Sequence, residues 1–197
     1  MARMECFRDE LLPYYDISTA LRTHSGYRWT DPEGIHWVDP TNETVRNYLK
    51  DVARELAELG FDEIVLASAA YPTEGHLEYL QEGASYPVNQ ENGLSQVLDQ
   101  LYEELSVVLA DTPAKLSVES RESVLINGSD EHSGQTVPVL AAHGWRVWVR
   151  MEEAGAADLS QTLTQAGMTQ PGQGTVLMAD RPLDLPAEQS WALLAEG

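Results

Sequence analysis

The segment Gly34-Ile35-His36-Trp37-Val38-Asp39-Pro40-Thr41-Asn42, continued from Leu59-Gly60-Phe61-Asp62-Glu63-Ile64 to Ala67-Ser68-Ala69-Ala70-Tyr71-Pro72, decides the fold. Asp39-Pro40 is a turn, and Thr41 or Asn42 then serves as the N-cap of a helix with Glu43 in its first turn. Val45, Leu49, Val52, Leu56 and Leu59 recur at three and four, so one helix face is apolar, and Gly60 sits where a helix C-cap belongs. The next run, Glu63 to Ser68, reads as a buried strand. Its carboxyl end carries Ala67, Ser68, Ala69 and Ala70, with no carboxylate.

The same strand-then-helix alternation extends along the chain and predicts an α/β fold on a parallel sheet. Five strands are expected, at Arg3 to Phe7, Glu63 to Ser68, Lys115 to Ser120, Arg146 to Met151 and Gly174 to Ala179. Helices are expected at Glu43 to Leu59, Glu91 to Leu109, Gly134 to His143, Ala157 to Ala166 and Pro186 to Ala195. Pro138 marks either the first turn of its helix or a kink. Long connections, Arg8 to Asn42 and Ala69 to Gln90, follow the first two strands, and connections at strand ends build the binding face of parallel α/β folds.

The 197 residues suffice for one domain with a substantial core, and 43% hydrophobic content is that of a globular chain. With 12 basic against 32 acidic residues the formal charge is −20, which repels nucleic acid and anionic membrane surfaces. The single cysteine, Cys6, falls in a strand and reads as a small apolar residue. No signal peptide or membrane-inserting run is evident, which leaves the compartment open between the cytoplasm and secretion within a larger precursor.

From Gly34 to Ile64, and in the opening Ala2-Arg3-Met4 through Phe7-Arg8-Asp9-Glu10-Leu11-Leu12, the chain resembles a family of bacterial glycoside hydrolases. The resemblance covers roughly residues 2–72 and implies a TIM barrel of the α-amylase-like superfamily. Beyond Pro72, Ser117 to Glu119 and Met151 fall where that family has a strand-end acid and a Pro-Met pair. The family strand after Asp-Glu-Ile ends in Phe-Asp-Tyr, an apolar residue, then Arg-Phe-Pro. Here its Asp becomes Ala67 and its Arg becomes Ala70, while Tyr71-Pro72 keeps the aromatic-proline pair. A full barrel takes about 250 residues. The expectation is therefore a partial or reduced (β/α) barrel of about five βα units, one domain over residues 1–197, lacking the first strands. An open, doubly wound sheet is the alternative. Raw strand edges would invite a homodimer.

Glycoside hydrolysis uses two facing carboxyl groups. The best available pair is Glu119, near the end of the third strand, with Glu152 just after the fourth. Among the aromatic residues of the long connections, Tyr27, Trp29, Trp37 and Tyr71, flat rings suit stacking on sugars. The resemblance puts Trp37 on the binding side, and Trp37, Asp39, Tyr71 and His36 are the candidate contacts to an oligo- or polysaccharide; Asp39 equally reads as a turn-former. Arg146 and Arg150 on the fourth strand need acidic partners, for which Glu119 is a candidate. The five histidines lack metal-site spacing, and the glycines lack nucleotide-binding fingerprints, so no cofactor or metal is expected. Three readings stay open: a catalytically degenerate domain that binds carbohydrate or serves a structural role, an active glycosidase using Glu119 and Glu152, and the later part of a larger glycosidase.

Overall fold

The computed structural model describes residues 1–150, 159–179 and 190–193. Six strands form one sheet: β1 (Ala2–Glu5), β2 (Glu63–Ala67), β3 (Lys115–Arg121), β4 (Arg146–Arg150), β5 (Gly174–Ala179) and β6 (Ser190–Leu193). Every neighbouring pair is parallel, and the spatial order follows the chain, β1-β2-β3-β4-β5-β6. The helices are α1 (Leu11–Tyr15), α2 (Glu43–Glu58), α3 (Gly93–Leu109), α4 (Glu122–Asn127), α5 (Val137–His143) and α6 (Leu159–Gln165).

A doubly wound sheet reverses its strand order at a switch point and carries helices on both faces. Neither feature is present among the described residues. Met4, Ile64, Leu66, Leu116, Val118, Val147, Val149 and Leu177 share one core with residues of α2 through α6. Because successive strand side chains alternate, the intervening residues face the other way. There Val65, Trp148, Val176 and Met178 make a small second cluster. Helices α2 to α6 on one face and the smaller cluster on the other, with strands wound in a single direction, make an open α/β sheet consistent with a partial TIM-like barrel.

Local chemistry accounts for the elements. The Asn42 side chain accepts from the backbone N–H groups of Thr44 and Val45 at 2.9 and 3.3 Å, and Gly60 takes a positive φ of 90° just beyond α2. The Thr136 side chain caps α5, which places Pro138 in the first turn, where the missing N–H costs nothing. That cap also starts α5 at Val137, three residues later than Gly134. At Gly93, which opens α3, an added Cβ would lie 2.3 Å from the carbonyl oxygen of Pro87, so only glycine lets the two segments approach.

One expectation is corrected. Within the span 186–195, expected as a helix, residues 190–193 are β6, paired parallel with Val176 to Ala179 of β5. Ala192 and Leu193 are good helix formers, but the open edge of β5 offers backbone partners and an apolar inner face, and pairing overrides propensity. The rest of that span, together with Met151, lies outside the described residues.

Candidate functional site

The inner face of the sheet, opposite helices α2 to α6, is where the strands carry their ion pairs. Near its amino-terminal side, Glu63 of β2 is buried and accepts from Ser117 Oγ at 2.5 Å, Trp148 Nε1 at 3.1 Å and Arg146 Nε at 2.9 Å, with the second guanidinium nitrogen on its other oxygen. Burial alone would push this carboxyl's pKa up; the donors from Arg146, Ser117 and Trp148 outweigh it and hold it below the usual range. Arg146 thus takes Glu63 as its partner, and its expected pairing with Glu119 is not formed.

Glu119 instead meets Arg3 of β1. Nε of Arg3 donates to Oε1 at 2.5 Å and Nη2 to Oε2 at 3.1 Å, a two-pronged contact across the end of β2. The remaining nitrogen of Arg3, Nη1, reaches Glu5 Oε1 at 2.5 Å. Arg3 therefore ties two carboxylates into one cluster, and these bonds raise its own pKa.

Above this cluster, at the carboxyl ends of the strands, opens a cleft of about 400 Å³. One wall comes from the first long connection. Asp31 accepts from Arg8 Nε at 2.9 Å, from the Trp37 indole at 3.2 Å and from the backbone N–H groups of Glu33 and Ile35, both at 3.0 Å. Burial raises its pKa, but these donors prevail and hold it low. Glu33 takes the other arm of Arg8 at 2.7 Å. The opposite wall holds Gln135, whose Nε2 donates to the Glu119 carbonyl at 2.9 Å while its Oε1 accepts from Ser120 Oγ at 2.9 Å. At the floor Ser68, with φ of 47°, turns the chain sharply out of β2. A non-glycine residue held in the left-handed region is a strained feature of the kind that clusters at binding sites.

The expected site residues separate in space. Glu119, Trp37 and Tyr71 all line the cleft. Tyr71 is nearly buried, donates to the Ser85 carbonyl at 3.1 Å, and has its hydroxyl pKa pushed up by burial. Asp39 is buried and absent from the lining; it accepts from Thr41 N and Oγ1 at 2.8 and 2.7 Å and from Ser85 Oγ at 2.5 Å, the role of a turn-former. His36 lies outside the lining, with Nδ1 3.4 Å from Glu10 Oε1. Trp29 is buried, its indole donating to the His76 carbonyl at 2.9 Å, whereas Tyr27 is exposed. Ala67 has no exposed surface and Ala70 lines the cleft. Glu152 lies outside the described residues, so its separation from Glu119 is not defined. Sequence reasoning overlooked Arg3, Glu5, Arg8, Asp31 and Gln135; the one available signal was the charged alternation Arg3-Met4-Glu5 in a strand whose other face is apolar.

No group of three or more histidine, cysteine, aspartate or glutamate side chains with metal-holding geometry occurs among the described residues, and no helix among them is long and apolar enough to cross a membrane.

A one-directional parallel sheet with a cleft at its carboxyl ends is the arrangement of TIM-barrel enzymes. Residues 1–144 match the family described as "Putative glycosyl hydrolase domain", and the chain belongs to that family. In three dimensions it is similar to the glycoside hydrolase domain of PelA from Pseudomonas aeruginosa, with a TM-score of 0.54 at 14% identity over 90% of this chain and 66% of that one. A hypothetical protein from Ruminiclostridium thermocellum is 26% identical over 59% of this chain and 55% of its own, with a TM-score of 0.47. Ega3 of Aspergillus fumigatus, in complex with galactosamine, gives 0.46 at 11% identity over 89% of this chain and 72% of that one. The chain thus spans 55% of the hypothetical protein and 66% of the PelA domain. No curated protein matches it.

Proposed function

We propose that this glycoside-hydrolase-like domain binds an oligo- or polysaccharide in the cleft beside Trp37 and Tyr71 and turns it over slowly or not at all. The observation that carries this reading is the two-pronged bond from Arg3 to Glu119. A glycosidase carboxyl has to face the scissile bond, and the guanidinium of Arg3, bonded to both oxygens of Glu119, occupies the atoms that would do so. The position where the family resemblance expects an aspartate is Ala67, and where it expects an arginine is Ala70. What remains is a cleft of ligand size with aromatic and hydrogen-bonding walls.

A direct test titrates the full chain with a panel of neutral oligosaccharides by calorimetry and assays the same panel for released reducing ends. Binding that weakens on Trp37→Ala, without turnover, is the expected result. Turnover abolished by Glu119→Gln would overturn it.

The contact of Arg3 with Glu5 as well as Glu119 favours a second reading, an active glycosidase in which Glu5 is the second carboxylate. Glu5 is half exposed on the same cleft. In that case both Glu5→Gln and Glu119→Gln remove hydrolysis, whereas on the binding reading any slow turnover survives both substitutions. We further propose that a second copy covers the outer strands β1 and β6; a monomer by light scattering across the micromolar range counts against it.

A further inference from the structure

Arg121 and Arg150 are register partners on β3 and β4, at the carboxyl ends of both strands. Register partners on neighbouring parallel strands lie about 4.8 Å apart in the backbone and point to the same face. Two guanidinium groups are therefore placed side by side on the cleft, which both of them line. Like charges set directly opposite on adjacent strands are unfavourable unless an anion lies between them.

The other arginines of this face are satisfied: Arg146 by Glu63, Arg3 by Glu119 and Glu5, and Arg8 by Asp31 and Glu33. Among the described residues Arg150 has no carboxylate partner. Arg121 has one, Glu74 at 2.8 Å, but the two side chains are 44% and 71% exposed, and such a surface pair is readily exchanged for a ligand group.

We propose that Arg121 and Arg150 form an anion subsite of the cleft and hold the carboxylate of a uronic-acid unit in the bound glycan. This rests on the cleft being a carbohydrate site. A planar carboxylate fits the guanidinium fork with two parallel hydrogen bonds. Met178, the register partner of Arg150 on β5, lines the cleft beside it and offers an apolar surface to the sugar ring. Phosphate would also match the fork, but Glu5, Asp31, Glu33, Glu74 and Glu119 line the same cleft, and a dianion is repelled by them more than a single carboxylate. The chain's charge of −20 restricts the ligand further, to a glycan with an isolated acidic unit rather than a polyuronate.

The test compares, by calorimetry on the full chain, a glucuronate-containing disaccharide, its carboxyl-reduced neutral counterpart, and the neutral disaccharide bearing a phosphate monoester. The expected result is a preference of about ten-fold for the acidic over the neutral sugar, the scale of one charge-assisted bidentate contact. Arg150→Ala should abolish that preference, and Arg150→Lys should restore only part of it, since lysine lacks the fork. Thermal unfolding of both variants checks that the fold is retained. Equal binding of acidic and neutral sugars overturns the uronate assignment and leaves the carbohydrate reading standing. Tighter binding of the phosphate ester, or an acid preference that survives Arg150→Ala, also overturns it. Binding of none of the three overturns both.

Discussion

Glu63 of β2 and Arg146 of β4 are joined across the intervening strand on the inner face of the sheet, both guanidinium prongs meeting the carboxylate while Ser117 and Trp148 also donate to its Oε1. In a closed barrel that region is packed with apolar side chains from every strand. Here a satisfied ionic network substitutes for part of the packing and links three strands by side chains as well as backbone.

Removing one partner of this pair should cost more than removing both. Arg146→Met leaves Glu63 ionised, buried and stripped of its strongest donor, and should lower unfolding free energy by about 3 kcal/mol, the lower end for a broken buried pair because Arg146 is partly exposed. Glu63→Met combined with Arg146→Met replaces the ions with apolar volume and should lose clearly less. Urea denaturation of the two variants decides the matter; equal losses would show that the charges contribute nothing beyond their packing.

Stability should fall on the acid side through Glu63 and Asp31. Both carboxyls are held below their ordinary pKa in the folded state. Each therefore stabilises the fold fully above its unfolded value, about 4, and loses that contribution as pH drops through the lower folded value. Acidification also relieves the repulsion of a chain at −20, so the informative quantity is a difference. The gap in urea midpoint between wild type and Glu63→Gln should be constant above about pH 5 and shrink below pH 4. A gap that widens on acidification would contradict the direction of the Glu63 shift.

The strand and helix pattern was legible because each βα unit has its own signal: the N-cap Asn42, the glycine at 60, and apolar runs of strand length. The final strand was not, since residues 190–193 are paired by the exposed edge of β5 and carry no strand signature of their own. The cleft was half legible. Glu119, Trp37 and Tyr71 sit beside strand ends and are found by counting along the chain. Arg3, Asp31 and Gln135 enter through contacts spanning up to 116 residues of sequence, as in Arg3 with Glu119, and no local pattern encodes such partners. Arg146 illustrates the limit: the need for an acid was readable from its place in a strand, but which acid depended on the register between β2 and β4.

Cys6 should be unreactive until the protein unfolds. It is 2% exposed, its thiol sits 3.5 Å from the Met4 carbonyl, and burial, reinforced by Glu5 and Glu119, pushes its pKa far up. Because the thiolate is the nucleophile, iodoacetamide at pH 8 should leave the native chain unlabelled over hours and label it fully in concentrated urea. Rapid native labelling would mean that β1 opens locally from the sheet edge.

Placing an aspartate at Ala67, where the family resemblance expects one, tests whether the end of β2 has room for an acid. Ala67 has no exposed surface, and its register partner on β1 is Glu5, so Ala67→Asp introduces a carboxylate into an enclosed position beside a like charge. Its folded pKa should be raised by both effects, which makes the penalty largest above its unfolded pKa and relieves it as pH falls. Ala67→Asn has the same size without the charge and isolates the steric part. We expect Ala67→Asp to be less stable than Ala67→Asn by about 2 kcal/mol at pH 7 and by little at pH 4, read from urea midpoints. If the two are equally stable at pH 7, Arg3 or Arg121 has turned to receive the new carboxylate. The strand end then accommodates a carboxylate, and Ala67→Asp becomes the variant to screen for hydrolysis.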